Sequence, residues 1–533
     1  VEIVNVRSGC MLSYLKKILS YDPPEPFVLG ESPDEQHEAP QESHIRAKEQ
    51  KAQYPAFTLS KKLEDMYTQL RRIFGNGEND DLILRIFKAG EKRVFLALLD
   101  GLTNKDMTGE IIMKPLMTNG CTSLTQALEE VVPLNGVKEE TDPSVVVDGI
   151  VNGLVFFIVE GEKKFAMLDV RMTERRSVST PQNEKVVHGP HQGFVEDIRA
   201  NVNLVRNIAR TPDLCTKFIP IGGDNGLRGA LLYREGMVDP KLLAKVKQKL
   251  LEAQRQKGFV LGEYSVARIF ERRKYSLFPQ ALQTERPDRT AAFVMQGHIA
   301  LICDGAPYAL VVPITFFGLM HTSEDHYLRP AVATTERLVR ILAMMITVLM
   351  PGLYIALVTF HQEVLPTAFM ISTLTLRKMV GLPVVSEIVL TTILFELVRE
   401  ASIRVQGGIN QQLGIVGGIV LGEALVMSNI VSPVVLIVIA LTVLSSFAIP
   451  DYGLQMALYI LRFAFLALGA VAGLIGIAAG WAVLMAYLCT LDSFGVPFFA
   501  AFAPATKHAT DLIFKGRKKQ HDAPDAVNMG RRR

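Results

Sequence analysis

The sequence carries no signature of catalysis or of metal binding. Its ten histidines form no HExxH pattern, and its five cysteines (Cys10, Cys121, Cys215, Cys303 and Cys489) include no CxxC pair. Neither a zinc site nor a disulfide framework is indicated, so the cysteines read as buried free thiols in a reducing compartment. Phosphate-cradling loops are missing too. Gly75-Asn76-Gly77 and Gly222-Gly223 lack the strand–loop–helix setting of a Walker or dinucleotide motif and read as turns. No cofactor is expected, and the chain is not expected to be an enzyme. An excess of one charge is also absent. There are 57 Lys and Arg against 54 Asp and Glu, a net charge of +3. A nucleic-acid partner, which usually demands a basic face, is therefore not expected. Nor is a secretory leader visible, because Lys16 and Lys17 interrupt the first apolar stretch, Met11 to Leu19. The N-terminal portion is expected to stay in the cytoplasm.

What is present is uneven. A chain of 533 residues is too long for one core and implies two or three folded units. Residues 21–54 are rich in Pro, Glu, Gln and Ser and cannot bury enough apolar surface to offset chain entropy. Residues 1–55 are thus expected to be disordered or loosely ordered. Leu59, Leu63, Met66, Leu70 and Ile73 then recur at three- and four-residue steps, which predicts a helix with Ser60 as N-cap. An internal echo follows. An apolar run, Arg93 to Leu99, ends at Asp100-Gly101 and leads to a helix; a second, Gly229 to Tyr233, ends near Glu235-Gly236 and leads to the helix Leu242 to Ala253. Each is followed by a hairpin pattern turning at an acidic–glycine pair, Glu160-Gly161 in the first and Asp304-Gly305 in the second. Two related soluble α/β subdomains are expected, over 56–195 and 196–325.

Beyond them the composition changes. Ile341 to Phe360 is an uncharged run of about 30 Å as a helix, the thickness of a bilayer's hydrocarbon core. Apolar stretches recur at 364–376, 381–398, 413–427, 430–450 and 456–489. The last is long enough for one tilted helix or two segments, and the first is short enough to be re-entrant. Residues 326–505 are expected to form an all-α transmembrane region of four to six segments in a lipid bilayer. The tail, 506–533, is basic (Lys507, Lys515, Arg517, Lys518, Lys519 and Arg531 to Arg533), which predicts a cytoplasmic C-terminus and an even number of crossings.

Charges inside apolar runs are the informative residues. Glu387, Glu396, Arg399, Glu400 and Glu423 lie within or beside such runs. A charge in hydrocarbon is costly unless it is paired, faces water or is buried in protein. Arg399 sits three residues after Glu396 and can neutralise it locally. These residues either line a water-filled ion path or lie at the membrane edge. A glycine ladder, Gly469, Gly473, Gly476 and Gly480, puts small residues on one face of a continuous helix, with Gly418 and Gly422 as a shorter version. Such a face lets a second helix approach closely, from the same chain or from a neighbouring subunit.

Several segments, in this order and spacing, resemble the A subunit of GerA-type spore germination proteins. They are Gly193-Phe194-Val195-Glu196 with Asn201 and Arg206, Phe278-Pro279-Gln280, Thr284-Glu285-Arg286-Pro287-Asp288 and Asp304-Gly305-Ala306-Pro307. In the apolar half they are Thr359-Phe360-His361-Gln362-Glu363, Phe395 to Ala401, Ile415-Val416-Gly417, Ser446 to Pro450 and Ser493 to Pro497. The resemblance implies a subunit of a nutrient germinant receptor in the inner membrane of the spore. It implies partnership with a permease-like B subunit and a lipoprotein C subunit, assembly into a ring-shaped homo-oligomer, and passage of cations once nutrient is sensed. The small nutrient is held, on this reading, by the B subunit. There are departures from the family pattern at 378–381, at 405–408 and at Glu423, where a Gln is common. A paralogue of the same architecture, stage V sporulation protein AF, implies instead amplification of ion release after sensing by others. A secondary transporter is a further alternative.

Overall fold

A computed structural model describes residues 57–134, 136–171, 180–181, 183–222, 226–255, 262–271, 276–404, 418, 420–500 and 502–503. The first helix, α1 (Leu63–Ile73), buries Leu63, Met66, Leu70 and Ile73 on one face. Its N-cap is Lys62 and not Ser60. The Ser60 hydroxyl instead accepts from the Lys62 N–H and donates to Asp65, bracing the approach to the helix.

Two five-stranded antiparallel sheets follow. The first holds β1 (Leu82–Ala89), β2 (Lys92–Leu99), β3 (Val137–Glu140), β4 (Val155–Val159) and β5 (Phe165–Leu168), with α2 (Ser144–Val151) before β4. Its order is β1-β2-β4-β5-β3. The second opens with α3 (Ile198–Ile208). It holds β6 (Leu214–Pro220), β7 (Arg228–Arg234), α4 (Pro240–Arg255), α5 (Gly262–Phe270), β8 (Leu282–Thr284), α6 (Pro287–Met295), β9 (Ile299–Cys303) and β10 (Ala309–Val312). Its order is β6-β7-β9-β10-β8, the same arrangement as in the first sheet. The central strands β4 and β9 are buried along their whole length, as continuous apolar runs require. All four acidic–glycine pairs turn the chain, with Gly101, Gly161, Gly236 and Gly305 at φ between +75° and +86°. That left-handed backbone costs glycine nothing.

The rest of the chain is helical: α7 (Phe316–Met320), α8 (Pro330–Thr359), α9 (Thr367–Arg377), α10 (Val384–Arg404), α11 (Pro433–Ser446) and α12 (Tyr452–Thr490). By length and composition, α8 and α12 are apolar enough to cross a membrane, whereas α11 is apolar but has only 14 residues. Residues 420–427 are also helical. The tail and residues 405–417, including Ile415 to Gly417, lie outside the described residues.

The helix α12 is a hairpin. Its helical dihedrals break at Gly473 (φ 59°, ψ −141°). Phe465 and Trp481 then meet with ring centroids 6.4 Å apart, where a straight helix would hold them roughly 24 Å apart. The glycine ladder therefore does not lie on one face of a continuous helix. Gly473 forms the bend, where a Cβ would fall 2.9 Å from His361, and Gly476 and Gly480 pack back on Leu468 and Phe465. Gly469 meets Gly352 of α8, backbone on backbone, with an added Cβ only 2.5 Å from the Gly352 carbonyl. The partner helix of each is thus within the same chain. Gly422 makes only an ordinary contact with Leu436, and nothing described lies close to Gly418.

Of the cysteines, Cys121, Cys215 and Cys303 are buried and form no disulfide, and burial pushes Cys215 up to about 12. Cys489, in the last turn of α12, is exposed, contrary to the expectation of uniform burial. Cys10 lies outside the described residues.

Candidate functional site: buried charges where sheet and helices meet

The motif Thr284-Glu285-Arg286-Pro287-Asp288 runs from β8 into α6, with Pro287 at the first turn, where its missing N–H costs nothing. Its side chains form a buried network. Arg286 grips Asp288 through two bonds of 3.0 and 2.8 Å and donates to the Pro190 carbonyl. Arg289 pairs with Glu184 at 2.6 Å and donates to the carbonyls of Gly318 and His321. Glu285 accepts from Asn183. Forked guanidinium groups suit this task, since each can satisfy several acceptors at fixed geometry.

The network continues into the long helices. Asp325, buried just before α8, takes Arg337 at 3.1 Å and Arg340 at 2.8 Å from the first turns of that helix. Burial pushes its carboxyl up, yet the joint pull of Arg340, Arg337 and His321 holds it below the usual value. Asp451 caps α12 by accepting from Leu454 N–H at 2.7 Å, and Arg289 and Glu184 lie near enough to act on it. At the other end of the hairpin, the Tyr487 hydroxyl lies 3.3 Å from Ser276, and Phe278 packs on both Tyr487 and Phe498. Both ends of α12 and the start of α8 are thus seated on the second sheet's region.

A second buried pair links the two sheets. Arg206 of α3 holds Asp81, just ahead of β1, at 2.6 Å. Burial pushes the Asp81 carboxyl up, against the pull of Arg206.

The acidic residues of the apolar half do not form one cluster. Glu396 and Arg399 pair, with a 2.7 Å bond from Arg399 Nε. Arg399 (5.6 Å) and Arg462 (5.4 Å) each hold a guanidinium over the Tyr459 ring, a favourable contact when water is excluded. Arg462 also donates to the Thr347 carbonyl at 3.1 Å. Glu387 lies elsewhere, fully buried, where its carboxylate accepts from the Ser432 N–H at the start of α11. Glu400 is exposed, and so is Glu423, which has no ion pair among the described residues. No group of three His, Cys, Asp or Glu could hold a metal among the described residues.

Sequence reasoning missed Arg462, although a lone charge inside 456–489 meets the same criterion as Glu387. It also missed Asp325, Arg289 and Asp451, which are unremarkable by sequence and gain meaning only from partners on other elements.

Comparison with known proteins places these features. The Bacillus/Clostridium GerA spore germination protein family matches residues 68–525. Spore germination protein A1 of Bacillus subtilis (strain 168) is 33% identical over 84% of this chain and 94% of its own. Spore germination protein KA of the same organism is 32% identical over 82% of each chain. The uncharacterized membrane protein YfkQ, also from Bacillus subtilis (strain 168), is 31% identical over 81% of this chain and 85% of its own. The crystal structure of the N-terminal domain of the A subunit of the Bacillus megaterium spore germinant receptor GerK3 aligns over 49% of this chain and 98% of its own. Its sequence identity is 20% and its TM-score 0.37. With the family match covering most of its length, the chain belongs to the GerA family of spore germination proteins.

Proposed function

We propose that the chain is a membrane subunit of a spore germinant receptor that forms, or couples to, a nutrient-gated cation channel and so starts germination by ion release. The observation that carries this reading is the seam. Ion pairs and a hydrogen bond tie the start of α8 and the end of α12 to the second sheet's region, and the start of α12 packs into the same cluster through Leu454. A displacement of the soluble part would therefore move α8 and the hairpin together, as a coupling element must.

The helical part is read as a membrane domain over 326–505, after subdomains at 56–195 and 196–325 and before a basic cytoplasmic tail. The path that fits the contacts runs away from the seam along α8, back along α10, out through 420–427, back along α11, and out and back through α12. The long segments α8, α10 and the two arms of α12 make four crossings, and the shorter 420–427 and α11 (14 residues) add a paired excursion; the number of crossings is even, with the N-terminal part and tail on the cytoplasmic side of the spore's inner membrane. Exposed apolar residues such as Ile437, Leu444, Val471 and Val483 support contact with lipid or with further copies in a ring-shaped homo-oligomer. The permease-like B subunit and the lipoprotein C subunit are the proposed receptor partners. Glu423, exposed on an apolar helix, is the strongest candidate to line the ion path, because an exposed carboxylate there needs water or a cation beside it.

The sporulation paralogue that amplifies release after sensing by others is the alternative. A secondary transporter is favoured by the broken helix alone, but such folds break helices around a midplane site, whereas Gly473 bends a hairpin tip. The test is monovalent cation release from spores lacking the chain, with each nutrient supplied in turn. Loss for one nutrient class supports the receptor reading. Slower release for every nutrient supports the amplifier. Normal release throughout contradicts both.

A further inference from the structure

Glu387 is unlike the other acidic residues. It is fully buried on α10, in the cluster formed by Tyr354, Ile355, Ile388, Val431 and Val435. One carboxylate oxygen accepts from the Ser432 N–H, but the other has no partner among the described residues. The Tyr354 hydroxyl on α8 has no partner within hydrogen-bonding distance either; its polar neighbours are the Ser432 side chain and Glu387, whose charge acts on the phenol. Two orphaned oxygens in one apolar enclosure are expensive, since each forfeits hydration without compensation.

Four ways of satisfying them can be weighed. A shared proton would show as a hydrogen bond between the two oxygens, and none is present. A basic side chain would do, but no ion pair to Glu387 exists among the described residues, although Arg377 also lies near Tyr354. A buried water would bridge the oxygens but would leave the carboxylate charge unbalanced in an apolar enclosure. A bridging cation satisfies the oxygens and balances the charge. One carboxylate balances one positive charge, and all the available ligand atoms are oxygen, which suits a hard monovalent ion.

We propose that Glu387 and Tyr354 form a binding site for one alkali-metal cation, enclosed where α8, α10 and α11 meet. The ion is held by the free carboxylate oxygen and the phenol oxygen. Because the other carboxylate oxygen holds the start of α11, occupancy fixes α11 against α10. The site rests on the membrane reading above only for its dry surroundings. It is a place where an ion is held, not a stretch of open path.

The test is thermal unfolding of the purified full chain in lipid nanodiscs at neutral pH and fixed ionic strength, with potassium or sodium chloride exchanged for choline chloride. The wild type is expected to gain about 2–4 °C in apparent Tm with the alkali ion. Glu387→Gln, which keeps the shape and the bond from Ser432, is expected to give one Tm in all three salts. Tyr354→Phe is expected to need severalfold more ion for the same gain, and provides the test if Glu387→Gln does not fold. An alkali-ion gain that persists unchanged in either variant overturns the site. So does a gain produced by acid alone, with no alkali-ion effect, which would mean that the carboxyl carries a proton. Flux is not measured, so failure here leaves the channel reading standing, and failure of the spore experiment leaves this site standing.

Discussion

The two sheets share a strand order but not a situation. The first closes its own core: Val94, Leu96, Leu98, Phe157, Val159 and Leu168 pack with Ile112, Leu116 and Leu124 from its own covering segments. The second has such a core on one face, under α4 and α5. On its other face, Leu232, Ala300, Ile302 and Val311 belong to a cluster that runs on through Phe316 and Phe498 to Val348, Leu454 and Phe465 of the long helices. The same topology thus serves once as a self-contained module and once as a mount for the helical part. Charge follows the same division. Arg93 of the first sheet pairs with Glu64 and Glu160 at the surface, whereas Arg289 of the second is only 5% exposed.

The sharpest way to break this comparison is to remove one arginine from each sheet. Arg289→Ala leaves the part-buried Glu184 without its cation, with only the Thr284 hydroxyl still donating to it, and takes a donor from two carbonyls; it should cost about 3–5 kcal/mol, read as a large fall in apparent Tm. Gly469→Leu comes next. Its side chain has no room against Gly352, so α8 and α12 must separate, at about 1–3 kcal/mol. The expected readout is protease sensitivity within the helical part while the first sheet stays protected.

Asp325 gives a pH signature. Its folded pKa lies below the ordinary value of 3.8. It therefore contributes stability that is fully present above about pH 4 and is lost as pH falls through the lower folded value. Asp325→Asn should flatten that acid limb in a Tm-against-pH series. Arg93→Ala is the smallest change. An exposed pair of this kind contributes little to stability, so a large fall in Tm would erase the contrast between the sheets.

The sequence made the sheets legible because their signals are local. Acidic–glycine turns between apolar runs fix a hairpin within a dozen residues, and they recur in both halves. The Glu396–Arg399 pair was legible for the same reason, lying three residues apart on one helix. The hairpin in α12 was not. A ladder of glycines in an apolar run reads as one packing face, and the bend at Gly473 depends on Phe360 and His361 at the far end of α8. The seam was hidden likewise, since its pairs join residues such as Glu184 and Arg289 across separate elements.

The claim that the seam transmits motion is tested most directly by Asp451→Asn. Asparagine still caps α12 but removes the carboxylate on which Arg289 and Glu184 act. Monovalent cation release from spores carrying the variant, at matched protein level, should be markedly slower than wild type. Release at the wild-type rate would contradict the account.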